Sequence, residues 1–318
     1  MPTKFSCFMA IRNGISLGYP FIEAVESALP LCDEFIISEG FSDDDTFKIL
    51  NDYFGSIDKV KIFQDPWDKE SLKGSAVRNA LNKARQRCKF EYIFEIDANE
   101  IVPEKDIPFI RNLPEIYPKK QLFAFPYYQM LGSEILFTEE FRFRMGKNLR
   151  SIQVLWDGYT MGHKLNLSTL FESGTFSRVI NRMLTVILED RISGGYTPEQ
   201  YVYLPQPIYR YYSLFPESFF NKMSSKLSLQ PGRDYDKFEV NNNDGRFKEI
   251  WDEYINGGEY DIFWEKVYDL TLDLIKEGAD FNKEFIERRI IDRNMQPGII
   301  QPQFGKKFYT PPKKNVNS

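Results

Sequence analysis

The 318-residue chain has one histidine, three cysteines and no apolar run that approaches the ~18 residues needed to cross a bilayer. Each scarcity narrows the options. Cys7, Cys32 and Cys88 are far apart, odd in number and free of CxxC spacing. They read as reduced core thiols rather than sulfur ligands of a metal. No G-x-G-x-x-G follows the first strand-like segment, which disfavours a dinucleotide oxidoreductase. Arg12-Asn13-Gly14-Ile15-Ser16-Leu17-Gly18 is not the glycine-rich loop followed by a base that a nucleotidyltransferase acting on sugar phosphates would need. The formal net charge of -5 supplies no basic face for a phosphate backbone, so nucleic acid is not expected as a partner. No signal peptide is read at the N-terminus, and a soluble, cytoplasmic protein is expected, with peripheral membrane contact left open.

What the chain does have is core material: 42% of residues are hydrophobic and 16% aromatic. Wholesale disorder is excluded on that composition. Length alone allows two units, or one large α/β domain with an appendage. Phe5–Ile11 reads as a buried strand. Phe21–Leu29 has apolar residues at helical spacing, and Pro30 ends it. Strand-like runs recur at 33–37, 59–63 and 90–96, with helical patterns at 46–53 and 74–88 between them. A β-α-β-α-β-α-β order implies crossover connections and a mostly parallel sheet with helices on both faces. Strands are further expected at 122–128, 141–144 and 201–212. From about Pro216 the pattern turns helical, including 247–254, 261–276 and 282–293. The expected organisation is a catalytic α/β domain over 1–213, a mainly helical region over 214–295, and a Pro/Lys-rich tail over 296–318.

In parallel sheets of this kind ligands sit at the carboxyl ends of the strands. Here every early strand ends on polar residues: Arg12-Asn13, Ser38-Glu39, Gln64-Asp65, and Asp97-Ala98-Asn99-Glu100. Asp97 and Asn99 alternate across Ala98, and oxygen ligands on a tight turn suit Mg²⁺ or Mn²⁺. The same residue types also form ordinary polar turns. Asp43 or Asp44 suits the cap of the next helix. Arg78 sits where an arginine can meet a phosphate, or on an exposed helix face.

"MAIRN", "CDEFIISEGFSDDDT", "PWDKESLKGSAVRNALNKA" and "YIFEIDANE" occur in the order and at the spacing of GT-A-fold glycosyltransferases of family two. The chain resembles bacterial and archaeal members that extend surface glycans or glycosylate peptides. The likeness covers about residues 4–165, with fainter echoes to about 225. It implies a GT-A Rossmann-like fold and inverting transfer of a sugar from a nucleotide-diphosphate donor to a glycan, lipid-linked or peptide acceptor, with Mn²⁺ or Mg²⁺ as cofactor. By the same match Asp97-Ala98-Asn99 stands for the metal-binding D-x-D, so Asp97 and Asn99 are the expected ligands. Arg12, Asn13, Glu39, Arg78 and Asp97 would line the nucleotide-sugar pocket, and Asp65 would contact the base. There are two departures. Asn99 replaces the usual second Asp, and Ser38 replaces the first acid after strand two, which leaves uridine specificity open. A non-catalytic relative that binds nucleotide or glycan is the alternative that these departures support.

Inverting transfer needs a general base on the acceptor side. Glu139, Glu140, Asp157, His163, Glu189 and Asp190 are candidates. Arg142-Phe143-Arg144 followed by Gly162-His163-Lys164 resembles the family's acceptor-side segment, with Lys164 where an acid is usual. Asp157 is the expected base, and His163 is the second choice. Tyr127, Tyr128, Tyr209, Tyr211 and Tyr212 read either as a stacking surface for an acceptor sugar or as core and interface aromatics.

Overall fold

The computed structural model describes residues 2–67, 75–155, 158, 160–163, 199–224, 245–277 and 289–313. Its first part alternates strands and helices as the pattern requires. β1 (Phe5–Ile11) leads to α1 (Phe21–Ala28), then β2 (Glu34–Glu39), α2 (Thr46–Phe54), β3 (Val60–Gln64), α3 (Ser75–Gln86) and β4 (Tyr92–Glu95). β1 pairs in parallel with both β2 and β4, and β2 in parallel with β3. Side chains alternate across β1. Phe5, Cys7, Met9 and Ile11 join one core with α1 and α2, while Phe8 joins the other with α3. Helices therefore cover both faces, which is why these strands read as nearly continuous apolar runs.

A two-residue strand β5 (Glu100–Ile101) is followed by α4 (Ile107–Ile116), and then by β6 (Leu122–Leu131) and β7 (Ile135–Lys147), a long antiparallel hairpin. β8 (Ile152–Leu155) and β9 (Thr160–His163) form a separate two-stranded sheet packed under α3. β10 (Tyr201–Tyr203) and β11 (Ile208–Ser213) lie beside β6. The main sheet runs β3-β2-β1-β4-β7-β6-β11-β5, with β10 attached to β6. This is the expected GT-A Rossmann-like α/β fold: a parallel β3-β2-β1-β4 half joined through antiparallel β7 to the rest.

α5 (Pro216–Ser224), α6 (Arg246–Ile255) and α7 (Tyr260–Lys276) make a small helical unit around Phe219, Phe263 and Trp264. In its described part the helix expected over 282–293 is absent. Arg289–Ile290 is instead β12, paired antiparallel with the edge of β7, and a short 3₁₀ turn follows at Arg293–Met295. The tail from Gln296 packs back on the body: a 3₁₀ stretch at Gly298–Gln303 leads to Tyr309, which is buried between Phe21 and Phe215. Among the described residues no helix is long and apolar enough to cross a membrane.

Candidate active site at the strand ends

The order β3-β2-β1-β4 reverses at β1. Crevices at such switch points, beyond the carboxyl ends of the strands, hold ligands in open α/β sheets. Arg12 and Asn13 leave β1 on one side of this crevice, and Asp97 leaves β4 on the other. As the crossover from β3 to β4, α3 begins at the same edge and carries half-buried Arg78 in its first turns.

The loops after β1 and β2 are stitched together. Asn13 has a left-handed backbone, φ 55°, and its Oδ1 accepts from the Asp43 N–H at 2.7 Å. Arg12 donates to Asp43 Oδ2 at 2.7 Å, and the Asn13 N–H donates to Ser42 Oγ at 2.8 Å. Asp44 accepts from the Ser16 N–H at 2.8 Å and from the Thr46 N–H at 3.0 Å, but the residue at the cap of α2 is Asp45, which makes no side-chain capping bond, so neither Asp43 nor Asp44 is the cap. Glu39 is fully buried, and its carboxylate folds its own loop. It accepts from the Phe41 N–H at 3.1 Å, the Ser42 N–H at 2.7 Å and Gln64 Nε2 at 3.1 Å. Trp67 and Arg12 both pack against Gly40, and among the described residues the buried Trp67 indole N–H has no partner.

Asp65, expected at the base, is differently employed. Its two oxygens accept from Arg87, one of them at 2.7 Å, and Oδ2 also takes Ser38 Oγ–H at 2.8 Å. The Arg87 hydrogen bonds hold its carboxyl below the usual range. Ser38 thus serves the Asp65–Arg87 pair, a contact between side chains 27 positions apart that no local pattern announces.

The Asp97-Ala98-Asn99-Glu100 turn rests on a buried ionic cluster that the sequence did not reveal. Between Phe123↔Met145 and Ala124↔Phe143 the register of the β6–β7 hairpin shifts, leaving Arg144 as an extra residue in a β-bulge. Bulges re-aim side chains next to functional sites. Here fully buried Arg144 donates to Glu95, to Glu100 and, at 3.1 Å, to Asp97 Oδ2. Tyr127 Oη donates to Glu100, whose other oxygen accepts from the Asp97 N–H at 3.0 Å. Three guanidinium groups face the ring of Tyr127: Arg142 at 4.0 Å, Arg144 at 5.4 Å and Arg210 at 5.7 Å. Burial pushes the Glu95 carboxyl up to about 8 against the pull of Arg144, and burial likewise raises Glu100. Burial acts to lower Arg144, but Glu100, Glu95 and Asp97 outweigh it and hold its proton more firmly.

Asn99 is 3% exposed and committed to protein. Its Nδ2 donates to the Tyr211 carbonyl at 3.1 Å, and its Oδ1 faces Arg210 Nε at 3.4 Å. As a metal ligand Asn99 is therefore a correction: an amide fixed by β11 does not turn its oxygen to a cation at the crevice. Asp97, with its side chain 17% exposed, is the turn's one polar side chain open to solvent. Among the described residues no group of three or more His, Cys, Asp or Glu is placed to hold a metal ion. One carboxylate does fit Mg²⁺ or Mn²⁺ of the kind that takes its remaining oxygens from substrate phosphates and water.

The expected acceptor-side residues separate. His163 pairs in register with Ile152, and its Nδ1 lies 3.0 Å from Ser151 Oγ. That end of the β8–β9 hairpin sits beside Leu149, which holds Arg85 from the far end of α3. The structure thus carries His163 away from the crevice, and burial lowers its pKa. Asp157, Glu189 and Asp190 lie outside the described residues. Gly158 stands against Val77 and Leu81, in the first half of α3, toward the crevice edge. Glu139 pairs with Arg289, and Glu140 with Arg142. Tyr127, Tyr209 and Tyr211 are buried and form no stacking surface for an acceptor.

No protein-family model matches the chain, and no curated protein matches it. Solved structures do. TarS of S. aureus in complex with UDP-GlcNAc aligns over 41% of this chain and 36% of its own, at 18% identity and a TM-score of 0.33. Another TarS structure aligns over 77% and 43%, at 11% identity and 0.38. Glucosyl-3-phosphoglycerate synthase from Mycobacterium tuberculosis, in complex with Mn²⁺, UDP-glucose and phosphoglyceric acid, aligns over 39% and 44%, at 21% identity and 0.30. The chain spans less than half the length of each of these three, and scores this low carry no argument about activity.

Proposed function

We propose that the protein is a glycosyltransferase that moves a sugar from a nucleoside-diphosphate donor to an acceptor hydroxyl or amide, with inversion at the anomeric carbon. The observation that carries this reading is the Asp97–Glu100 turn, braced by Arg144 at the carboxyl end of β4 and facing Arg12 and Asn13 across the switch point of the sheet. The diphosphate lies in that crevice, where Arg78 at the start of α3 meets its charge. The nucleoside sits against the β1 and β2 loops, near the unpartnered indole N–H of Trp67. With the Glu39 and Asp65 carboxylates bonded within the protein, the nucleoside meets backbone, the Trp67 N–H and the Arg12–Asp43 pair, whose carboxylate is exposed.

Asp97 would hold Mn²⁺ or Mg²⁺ beside the donor, and a bound cation would supply Lewis-acid stabilisation to the departing diphosphate. Arg144 orients the Asp97 carboxylate, while Tyr127 and Arg144 hold Glu100. The acceptor's proton passes to a general base, for which Asp157 remains our assignment. Pre-set charges of this kind lower the barrier because they need no reorganisation during transfer.

The test is calorimetry with UDP, GDP, UDP-GlcNAc and UDP-glucose, with Mn²⁺ and with EDTA, followed by donor hydrolysis without acceptor. Binding that tightens with Mn²⁺ together with slow hydrolysis supports the enzyme. The absence of any nucleotide binding would refute it. Binding without hydrolysis or transfer would favour the second reading, a nucleotide- or glycan-binding relative, which the commitment of Asn99 and Asp65 to protein partners supports.

A further inference from the structure

We infer that Gln296, on the C-terminal strap, is a positioning residue for the donor site, acting through Tyr211 on the Asp97–Glu100 turn. The geometry is independent of the function proposed above, and only the ligand readout rests on that reading.

Tyr211 is the hinge of the inference. Its backbone is given wholly to the turn: its N–H donates to the Asn99 carbonyl at 2.9 Å, and its carbonyl accepts Asn99 Nδ2 at 3.1 Å. One residue earlier, Arg210 is in register with Glu100 and faces Asn99 Oδ1 at 3.4 Å. The turn therefore hangs on β11 at this point. The pairing of β11 with β6 shifts register between Tyr211 and Ser213. The side chain of Tyr211 adds an anchor outside the ladder. Its buried hydroxyl donates to Gln296 Oε1 at 2.8 Å.

Gln296 is 4% exposed and locked in turn. Its Nε2 donates to the Ser133 and Ile291 carbonyls, the latter at 3.0 Å, and its own carbonyl accepts from Gln301 Nε2 at 3.2 Å. The strap is anchored on both sides of it. Upstream, Arg293 pairs with Glu134 at 3.0 Å and with Asp261 on α7. Downstream, Gln303 and Tyr309 both donate to Glu23 on α1, Tyr309 at 3.0 Å. One segment thus ties the helical unit and α1 to the strand on which the Asn99 amide is built. Loss of one buried hydrogen bond of this kind shifts a local opening equilibrium without unfolding the domain.

The experiment uses the full chain with Gln296→Ala, Tyr211→Phe and the double variant. Amide exchange is followed residue by residue, and UDP-GlcNAc affinity is measured with Mn²⁺ present. Expected is a roughly three- to tenfold faster exchange of the Tyr211 N–H and the Glu100 N–H, with β1 and β2 amides unchanged. The double variant should exchange no faster than Gln296→Ala alone, because Gln296→Ala already removes the one bond that Tyr211→Phe deletes. Donor affinity should fall by a similar factor without a matching loss of global stability. Unchanged exchange at Tyr211 and Glu100, or an increase uniform across the sheet, overturns the inference. So do additive effects in the double variant. If the parent chain binds no nucleotide, the proposed function fails while the exchange results still decide this inference.

Discussion

Gly40 shows how tightly single residues are specified at the crevice. A Cβ there would lie 2.6 Å from Trp67 Nε1 and 3.0 Å from the Arg12 Cβ. The glycine after Glu39 is needed for close approach rather than for a left-handed backbone. Gly40→Ala should cost about 1–3 kcal/mol by overpacking, read as a lower denaturant midpoint, and should disturb the Trp67 fluorescence. An unchanged midpoint would mean that Trp67 moves freely. Asp97 makes the complementary case. Asp97→Asn keeps the shape and removes the charge, so the gain in nucleotide affinity on adding Mn²⁺ should shrink by about tenfold or more while binding in EDTA changes little. Equal Mn²⁺ dependence in parent and variant would remove Asp97 as the cation's ligand. Asn99→Asp should weaken the fold, because a carboxylate would then face the Tyr211 carbonyl in a buried setting.

At the scale of elements, the bulge in β7 is the feature on which the turn depends. Arg144 neutralises carboxylates from three positions of one strand end, so Arg144→Met should cost about 3–5 kcal/mol by stranding buried charge. A loss under about 1 kcal/mol in chemical denaturation would show the cluster to be dispensable. The bulge also marks where reading the sequence stops. Strands β1 to β4 and their crossovers were legible because buried parallel strands and amphipathic helices leave local periods, and the polar strand ends do lie together at one edge of the sheet. α4 was not legible, since Pro108 and Pro114 look like breakers. In place, Pro108 sits in the first turn, where its missing N–H costs nothing, and Pro114 lies near the end. Nor were the partners of Asn99, Glu95 and Asp65 legible. Arg210 meets Asn99 across 111 positions, and Arg144 meets Glu95 across 49, distances over which no spacing rule operates. The helix expected over 282–293 gave way at Arg289–Ile290, where an open β7 edge offered ladder bonds to the chain and Glu139 offered a partner to Arg289.

For the molecule as a whole, the strap makes stability depend on pH. Burial raises the pKa of Glu23 against the bonds from Gln303 and Tyr309. The folded state therefore keeps a proton that the unfolded chain releases in the ordinary carboxylate range. Stability is fully present below that range and declines as pH rises through the raised value. Glu23→Gln should flatten this slope above the ordinary carboxylate range, as measured by urea midpoints across a pH series. A parallel downward slope in the variant would assign the effect elsewhere. The three thiols add another property. Cys7, Cys32 and Cys88 are free and buried, on β1, after α1 and after α3. Burial pushes Cys88 up to about 12 and raises Cys7 as well, so neither presents a thiolate while the sheet is closed. Alkylation then proceeds only through opening, and its rate at each cysteine counts how often that part of the sheet comes apart. The protein carries its own clock for breathing motions of the parallel half of its sheet, and a ligand that saturates the proposed donor site should slow all three labels together.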